Sequence, residues 1–523
     1  MRKILDLPLL VILAGIGALS MLVPAFHAWA IRDWDTARAF LFPSLLFTVA
    51  ISLIGIALAA RPALNPARSH LLALCGTYLL LPLMLAVPFN EAVHDTGYFS
   101  AWWEMVSSLT TTGATLFDPA RLPPSVHLWR GLVGWMGGFF MLVAGIAILA
   151  PMNLGGFEVL AETVPGVSPA TREPEGARGG GLRSVQVASG SAGGVKGTTT
   201  GDRLVRQTLA VFPIYLALTL VLWSSLQLAG DPALVAAMHA MAVLSTSGIS
   251  PVGGLAGSSS GPTGEVLIFL FLFLALSRRM MPEAGRRWRP APLLRDPELG
   301  LGLAIIATVP LVLFLRHWIG AVEIADSQNI PRAADAAWGA VFTVLSFLTT
   351  TGFESHGWVA SRFWSGLPTP GLVLAGLAMI GGGVATTAGG VKLLRVYALY
   401  RHGERELQKL VHPNSVGGGG DAARRLRSQG AQIAWVFFAL FALSIAVAML
   451  ALSLAGIDFT PATVLTIAAL SNVGPLAAVA ADAPLGWGGL DQVAQAILAV
   501  AMVVGRLETL AIIALLNPEM WRN

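Results

Sequence analysis

Long apolar runs separated by short polar segments dominate the pattern of hydrophobic and polar positions along the chain. About ten runs approach or exceed the roughly 20 residues that a helix needs to cross a bilayer core about 30 Å thick. The runs lie at 7–28, 41–60, 70–89, 129–150, 208–229, 264–281, 299–321, 370–398, 431–455 and 491–516. We therefore expect an all-α integral membrane protein with about ten transmembrane helices.

The first run, 7–28, leaves two interpretations open. It follows the basic start Met1-Arg2-Lys3 and ends near Ala28-Trp29-Ala30, which has the small-residue spacing of a signal-peptidase site. Its apolar stretch is longer than the about 7–15 residues of a signal peptide, and a second apolar run follows directly. These two features favour a retained transmembrane helix over a cleaved signal.

Composition supports the membrane assignment and excludes other classes. Only 12% of the residues are charged and 55% are hydrophobic, whereas a soluble domain carries about 25% charged residues. The single cysteine, Cys75, excludes an internal disulfide framework and a site built from several thiolates. The net charge of +4 does not indicate a nucleic-acid partner, because the basic residues collect between apolar runs rather than in one patch.

The basic residues also predict the topology. Cytoplasmic loops carry an excess of Lys and Arg, and this rule is met if the amino terminus is cytoplasmic. The loops at 61–69, 151–206, 278–298 and 392–430 then face the cytoplasm. Two of these loops hold the basic clusters, which comprise Arg278, Arg279, Arg286, Arg287, Arg289, Arg295, Arg401, Arg405, Lys409, Arg424, Arg425 and Arg427.

Four shorter segments lie on the side opposite the basic loops. Segments 101–115, 233–251, 336–354 and 461–475 are too short to span a bilayer, and each runs into a polar turn that contains glycine. The turns read Thr110-Thr111-Thr112-Gly113-Ala114, Ser245-Thr246-Ser247-Gly248-Ile249, Thr349-Thr350-Thr351-Gly352-Phe353 and Ser471-Asn472-Val473-Gly474-Pro475. A unit of helix, half-helix, glycine turn and helix therefore occurs four times.

The four turns have the chemistry of a cation pathway. Irregular backbone at membrane depth is tolerated only where it is buried in protein or lines a water-filled cavity. Rings of backbone carbonyls can replace the water shell of K⁺, and aiming them at one axis requires φ > 0, which glycine adopts at least cost. The carboxyl ends of the half-helices also favour a cation. A single copy would more often be an ordinary turn after a helix, but four equivalent copies favour a filter.

At these residues the chain resembles the Trk/Ktr/HKT superfamily of potassium transporters, and in particular the bacterial TrkH-type membrane subunit. The resemblance covers nearly the whole chain and implies a potassium-selective uptake pathway, with two amino-terminal helices and four helix–pore-loop–helix repeats around a central pore. The segments would be 1–62 (amino-terminal helices), 63–165 (repeat one), 166–204 (flexible cytoplasmic loop), 205–290 (repeat two), 291–415 (repeat three) and 416–523 (repeat four). The implied K⁺ filter residues are Thr111, Thr112, Gly113, Thr246, Ser247, Gly248, Thr350, Thr351, Gly352, Asn472, Val473 and Gly474.

Four further stretches carry the resemblance. Trp129-Arg130 to Gly137-Gly138 resembles the start of the second helix of repeat one, and Gly155-Gly156-Phe157 to Ala161-Glu162-Thr163 resembles its cytoplasmic exit. The stretch 381–390 resembles the broken helix of repeat three, which forms an intramembrane gating loop, and Gly505-Arg506-Leu507-Glu508 resembles the pore-facing arginine segment of repeat four. The implied gating residues are Gly381, Gly382, Gly383, Thr386, Thr387, Gly389, Gly390, Lys392 and Arg506.

Physical reasoning supports these roles and leaves alternatives. Each glycine at 381–390 weakens a helix by roughly 0.5–1 kcal/mol relative to Ala, so the helix should break or bend there; close helix packing is the alternative. Arg506 inside an apolar run indicates a fixed charge in the pathway. A structural ion pair is the alternative, although Glu508 is wrongly spaced for it. We expect Glu354 to face the external vestibule, either concentrating cations or as a plain surface carboxylate, and Glu104 to be hydrogen-bonded locally.

Repeat two departs from the family pattern. Its turn has one glycine, Gly248, where the family commonly has two in succession, and the helix at 268–276 lacks small residues. In related plant proteins a serine at a filter-glycine position accompanies sodium transport. All four positions are glycine here, which favours potassium.

Downhill K⁺ entry driven by the membrane potential is the expected mode, since the potential supplies about 2.3 kcal/mol per charge per 100 mV. Coupling to H⁺ or Na⁺ stays open, although the sequence has no evident intramembrane acidic pair for a proton relay. A secondary transporter of another ion or solute is the alternative, and it would show inverted repeats rather than four same-sense turns. An enzyme is disfavoured, because the nine histidines are scattered and no nucleophile–base pair lies at helical spacing within a run.

The resemblance also implies partners and a location. The sequence has no nucleotide-binding pattern, and we expect no cofactor in this chain, with K⁺ as the transported ion. A cytoplasmic TrkA-type regulatory subunit that binds NAD(H) or ATP would dock on the basic loops of a homodimer in the bacterial plasma (inner) membrane. The loop at 166–204 and the glycine run at 417–420 are too poor in large apolar residues to order themselves and should be flexible.

Overall fold

The computed structural model describes residues 8–58, 66–152, 155–159, 200–281, 296–320, 329–366, 371–412, 430–481 and 483–507. Across these ranges all regular structure is helical. Seven helices there are long and apolar enough to cross a membrane: Leu9–Ala30, Trp34–Leu58, Leu72–Ala92, Pro124–Leu149, Arg203–Leu228, Pro297–Arg316 and Gly430–Leu454. The predicted fold class, an all-α integral membrane protein, is confirmed.

Three helices precede the repeats. α1 (Leu9–Ser20) and α2 (Leu22–Ala30) form one span with a turn at Met21, and α3 (Trp34–Leu58) returns beside it. α3 begins seven residues before the predicted start of its run at residue 41. Its apolar side chains Leu46, Leu53 and Ile56 are exposed, as expected of a helix that faces lipid.

Repeats one and two each carry a short pore helix between an entry segment and an exit helix. Repeat one comprises α4 (Pro66–Leu79), α5 (Leu81–Ala92), the pore helix α6 (Tyr98–Leu109) and the exit helix α7 (Pro124–Ala144), which continues into a π-helical turn, Gly145–Leu149. Repeat two comprises α8 (Thr200–Leu228), the pore helix α9 (Ala233–Ser245) and the exit helix α10 (Gly261–Leu272).

Repeats three and four follow the same order with more interruptions. Repeat three comprises α11 (Pro297–Gly320), the pore helix α12 (Asn329–Leu348), α13 (Trp358–Ser365), α14 (Gly371–Ile380) and α15 (Leu393–Val411). Repeat four comprises α16 (Gly430–Leu454), the pore helix α17 (Phe459–Leu470), the short α18 (Leu476–Val479) and the exit helix α19 (Gln492–Leu507).

Several predicted bounds differ from the structure. The run at 264–281 is not one span, because α10 ends at Leu272 and only a 3₁₀ turn, Phe273–Ala275, extends it. The run at 370–398 is interrupted after Ile380, and the pore helix of repeat three begins at Asn329 rather than residue 336. α8 begins at Thr200, within the predicted loop at 166–204. The rest of that loop, the glycines at 417–420 and Glu508 lie outside the described residues.

The distribution of apolar and polar side chains is that of a membrane protein: apolar side chains lie outside and polar side chains lie in the centre. Large apolar side chains lie on the outside, with Leu228 90% exposed, while hydroxyl side chains such as Thr112, Ser245 and Thr351 are fully buried. The outer surface can face lipid tails, whereas polar groups in the centre find partners only within the protein. The fold therefore places its polar atoms where the four turns meet.

Candidate cation pathway

The residue two positions before each turn glycine adopts a left-handed backbone conformation. The four residues are Thr111, Thr246, Thr350 and Asn472, with φ between 52° and 58°. This conformation costs a non-glycine residue about 1–2 kcal/mol and persists only where the surroundings impose it. Its recurrence at four equivalent positions shows that the four turns share one backbone path.

The backbone amide that follows each of these residues turns back into its own pore helix. In every repeat this N–H donates to the carbonyl oxygen five residues earlier. The four bonds run from Thr112 to Ser107 (2.9 Å), from Ser247 to Ala242 (2.9 Å), from Thr351 to Ser346 (2.9 Å) and from Val473 to Ala468 (2.8 Å). Because each pore helix ends where its turn begins, the negative end of its dipole lies at that turn.

Paired hydroxyl groups stabilise three of the turns. The oxygens of Thr110 and Thr112 lie 2.8 Å apart, and the equivalent pairs Ser245–Ser247 and Thr349–Thr351 are separated by 3.0 Å and 3.2 Å. In repeat four the second position is Val473, which has no hydroxyl. The fourth turn is therefore held differently.

The four turns close into a ring in the order one, two, three, four. A Cβ atom added to Gly113 would lie 1.8 Å from the carbonyl oxygen of Ser247, and one added to Gly248 would lie 2.2 Å from that of Thr351. A Cβ on Gly352 would lie 3.1 Å from the ring of Pro475, and one on Gly474 would lie 2.2 Å from the amide of Ala114. Each glycine thus allows close approach to the next turn.

Repeat four breaks the symmetry of this ring. Gly113, Gly248 and Gly352 have φ of 71°, 62° and 81°, as expected, but the expectation of positive φ is wrong for Gly474, which leads directly into α18. Its amide instead donates to the carbonyl oxygen of Thr112 at 2.6 Å. The Asn472 side-chain amide also donates to the hydroxyl of Thr112 at 3.0 Å, so repeat four is bonded to repeat one at this point.

In repeats one to three, the residue nine positions before the turn glycine bonds to the extended segment that follows the turn, which we call the outer strand. In repeat one a Glu104 oxygen accepts from the amide of Leu116 at 3.2 Å, and the same carboxylate forms a buried 2.6 Å ion pair with Arg130. In repeat two, His239 Nε2 lies 2.9 Å from the hydroxyl oxygen of Ser250. We call the side chains at this position brace residues; Glu104 is hydrogen-bonded locally, as expected.

The brace is weaker in the other two repeats. Thr343 occupies the position in repeat three, and its hydroxyl accepts from the amide of Ser355 at 3.3 Å. Leu465 occupies it in repeat four and offers no polar atom. There the Trp487 indole donates to the carbonyl oxygen of Gly474 at 3.3 Å.

The glycine-rich stretch of repeat three forms a closed loop between α14 and α15. Gly381, Ala385, Gly390 and Lys392 all have positive φ, which no continuous helix allows. The ends of the loop meet, because the amide of Lys392 donates to the carbonyl of Ile380 at 2.8 Å. We call residues 381–392 the intramembrane loop; it contains Gly381, Gly382, Gly383, Thr386, Thr387, Gly389, Gly390 and Lys392.

The intramembrane loop lies directly against the ring. The amide of Gly389 donates to the hydroxyl of Thr350 at 2.7 Å, and the hydroxyl of Thr387 donates to the carbonyl of Leu244 at 3.2 Å. A Cβ on Gly389 would lie 2.2 Å from the carbonyl oxygen of Ser471. The loop therefore contacts the second, third and fourth turns or their pore helices at once.

Three charged side chains hold the loop. Arg506, on α19, is only 2% exposed and donates through Nη1 to the carbonyl of Thr387 at 2.7 Å. The amide of Val384 donates to Glu298 at 2.7 Å, and Lys392 Nζ donates to the carbonyl of Ala388. Arg506 is thus bonded to the loop. Glu298 was not among the candidates, and no sequence spacing relates it to residue 384.

One further sequence candidate, Glu354, lies in the outer strand of repeat three. Glu354 is half-buried two residues after Gly352. Among the described residues, no group of three or more His, Cys, Asp and Glu side chains could hold a metal ion.

Fold and site together define a class: membrane proteins in which four pore-helix units of one chain close a ring of turns. A family model described as TrkH, cation transport protein, matches residues 299–521. The Trk system potassium uptake protein TrkH of Salmonella typhimurium is 29% identical over 450 residues, 86% of this chain and 83% of that protein. TrkG of Escherichia coli is 25% identical over 85% of this chain and 84% of its own length.

A solved structure gives the same result for the fold. The crystal structure of the potassium transporter TrkH from Vibrio parahaemolyticus superposes with a TM-score of 0.80 at 24% identity and covers 100% of both chains. The expected resemblance to the TrkH-type membrane subunits of the Trk/Ktr/HKT superfamily is thus confirmed over most of the chain, and the protein is a multi-pass bacterial membrane protein.

Proposed function

We propose that the chain is a potassium-selective uptake pathway, in which dehydrated K⁺ passes through the ring of four turns. The observation that carries the proposal is the fourfold recurrence of one strained backbone path, with its amides bonded into the pore helices. That path leaves carbonyl oxygens as the available ligands, and such oxygens can replace the water shell of K⁺. The filter residues are those of the four turns, from Thr111 to Gly113 and their equivalents.

The pore helices favour a monovalent cation without binding it too tightly. Each helix end contributes roughly half a negative charge, which attracts a cation but stays far short of a carboxylate ring. An ion that must leave again is served better by several weak sites than by one strong site. This favours permeation over storage and agrees with the lack of a carboxylate cluster among the described residues.

The intramembrane loop is the proposed gate. Its bonds to Thr350 and Leu244 hold it against the ring, and Arg506 places a fixed positive charge beside it. A cation leaving the ring would meet both the loop and this charge. Opening requires the loop to exchange these bonds for others, and its glycines permit that change at little steric cost.

We further propose that the chain works as a homodimer with a separate cytoplasmic, nucleotide-binding subunit of the TrkA type. The relatives are named as proteins of a Trk system, and α15 leads from the gate into the predicted cytoplasmic side with Arg401, Arg405 and Lys409. A partner that pulls on α15 would act directly on the intramembrane loop. The membrane potential supplies the driving force, and no reaction is catalysed.

The test is Rb⁺ uptake into K⁺-loaded liposomes with competing K⁺, Na⁺ or Li⁺, comparing wild type with Gly352→Ser. Gly352 is the preferred site because, although its φ of 81° strains any side chain, its added Cβ would meet only side-chain atoms, at 3.1 Å, whereas the equivalent glycines meet backbone atoms. We expect K⁺ to compete far better than Na⁺ in wild type and the difference to shrink in the variant. Gly376→Ala is the matched control, because a Cβ there meets nothing within 4 Å.

The alternative is a Na⁺- or H⁺-coupled transporter of another ion or solute. It predicts that Rb⁺ uptake depends on a Na⁺ or pH gradient even when the membrane potential is clamped. Uptake that follows the potential alone contradicts this alternative. A lack of cation-specific uptake with the regulatory subunit supplied contradicts the proposed filter.

A further inference from the structure

Glu265 is a buried carboxylate outside the ring and the gate. It lies on α10 of repeat two and is 2% exposed. Its Oε2 accepts hydrogen bonds from the Trp338 indole and the Ser355 hydroxyl, each at 2.8 Å. Its Oε1 accepts from the backbone amide of His356 at 2.5 Å and lies 2.6 Å from the Nδ1 of the same residue.

These four groups come from three residues, Trp338, Ser355 and His356, and all three belong to repeat three. An ionised carboxylate is costly to bury unless it is hydrogen-bonded, and four donors saturate its two oxygens. The contacts of Glu265 therefore tie the exit helix of one repeat to the pore helix and outer strand of the next. Ser355 and His356 follow the filter glycine Gly352 by three and four residues.

The brace residues explain why repeat three requires this help. Repeats one and two have a long side chain at the brace position, Glu104 or His239, that reaches the outer strand from within the same repeat. Repeat three has Thr343, whose hydroxyl makes one long bond, 3.3 Å, to the amide of Ser355. Glu265 accepts a hydrogen bond from the hydroxyl of this same Ser355. It therefore holds the outer strand of repeat three from repeat two, as the longer brace side chains hold the outer strands of repeats one and two from within.

We propose that Glu265 is a positioning residue for ion selectivity, which holds the third filter strand in register with the second from outside the ring. The carbonyl oxygen of Thr351 lies against Gly248 of repeat two, so the spacing between these turns depends on how the two repeats are joined. Glu265 joins them just beyond the filter. The inference rests on the proposed function, because it assigns the residue to the selectivity of that ring.

The test is Glu265→Gln in the competition assay described above, with thermal unfolding measured in parallel. The variant replaces one of the two accepting oxygens by an NH₂ group, which is itself a donor. The groups of repeat three that donate to that oxygen then lose their acceptor. We expect the preference for K⁺ over Na⁺ to fall at least about fivefold, which corresponds to the loss of roughly one hydrogen bond. Glu91→Gln, which changes an exposed carboxylate on α5, is the control and should keep the wild-type preference.

Ser355→Ala provides a second, milder variant in case Glu265→Gln fails to fold. It removes one donor and leaves the carboxylate with three, so the preference should fall by less and in the same direction. A lower unfolding temperature with unchanged preference in both variants assigns Glu265 a structural role only and overturns the inference. If Gly352→Ser also keeps the preference, the proposed filter itself fails; if only Gly352→Ser loses it, the filter stands without a role for Glu265.

Discussion

Replacing Arg506 by methionine should open the gate in the absence of any regulatory partner. Methionine fills a similar volume but can neither donate to the carbonyl of Thr387 nor carry charge. The bond it removes is short, 2.7 Å, and buried. A hydrogen bond to a charged group contributes about 1.5–3 kcal/mol, so the variant loses that much of the energy that holds the loop closed.

This loss converts into a measurable flux. If the closed state dominates, 1.5–3 kcal/mol raises the open population roughly 10- to 150-fold. Removing the fixed charge acts in the same direction, because a cation no longer meets a positive group below the ring. Arg506→Lys separates the two effects, since lysine keeps the charge but lacks the planar fork that places Nη1 at the carbonyl.

The assay is the initial rate of Rb⁺ uptake per folded protein, in liposomes without partner subunit. We expect the methionine variant to be fastest, the lysine variant intermediate and wild type slowest. Uptake by Arg506→Met at or below the wild-type rate would refute the gating role. Equal rates for both variants would show that the hydrogen bond, not the charge, closes the pathway.

Three further predictions follow from described contacts. Gly137→Ala should destabilise the fold or abolish it, because its Cβ would lie 2.0 Å from the carbonyl oxygen of Leu109. Gly376→Ala should be neutral or should stabilise the fold by up to about 1 kcal/mol, because its Cβ meets nothing within 4 Å. Thermal unfolding in detergent distinguishes the two variants. Glu298→Gln should raise partner-independent Rb⁺ uptake by weakening the bond to the amide of Val384, with an unchanged rate contradicting this role. Burial opposes ionisation of Asp231, but the nearby His239 ring, whose Nδ1 lies 3.9 Å away, and hydrogen bonds from Ser258 and Ser260 hold the pKa of its carboxyl well below the ordinary value of 3.8. The stability that Asp231 contributes is therefore present above that value and lost as pH falls below it, so wild type should lose more unfolding temperature than Asp231→Asn on acidification below about pH 4.

Much of the fold could be predicted from residue spacing. The apolar runs identify the long helices, and the recurrence of a polar glycine turn identifies four repeats, because both patterns are local in the sequence. The left-handed residues Thr111, Thr246, Thr350 and Asn472 were not predicted, since three of them are threonines, which rarely adopt positive φ. The ring imposes this conformation through contacts between repeats.

The missed site residues show where local patterns end. The brace position could have been found by counting nine residues back from each glycine, because the offset is constant. Glu265 and Glu298 could not, because their partners lie 73 to 91 residues away in the sequence. The prediction for α10 continued to residue 281, although the helix ends at Leu272, because the apolar composition of the chain continues after the helix ends.

The unequal fourth quarter of the ring has a consequence for how such a pathway can change over generations. In an assembly of four identical subunits, a bond such as that from Gly474 to Thr112 would have to form four times or not at all. Here the four quarters belong to one covalent chain, so a single substitution alters one quadrant and leaves three intact. One quadrant can therefore form a bond between repeats, as Gly474 does with Thr112, while the equivalent positions of the other three quadrants keep a different backbone geometry.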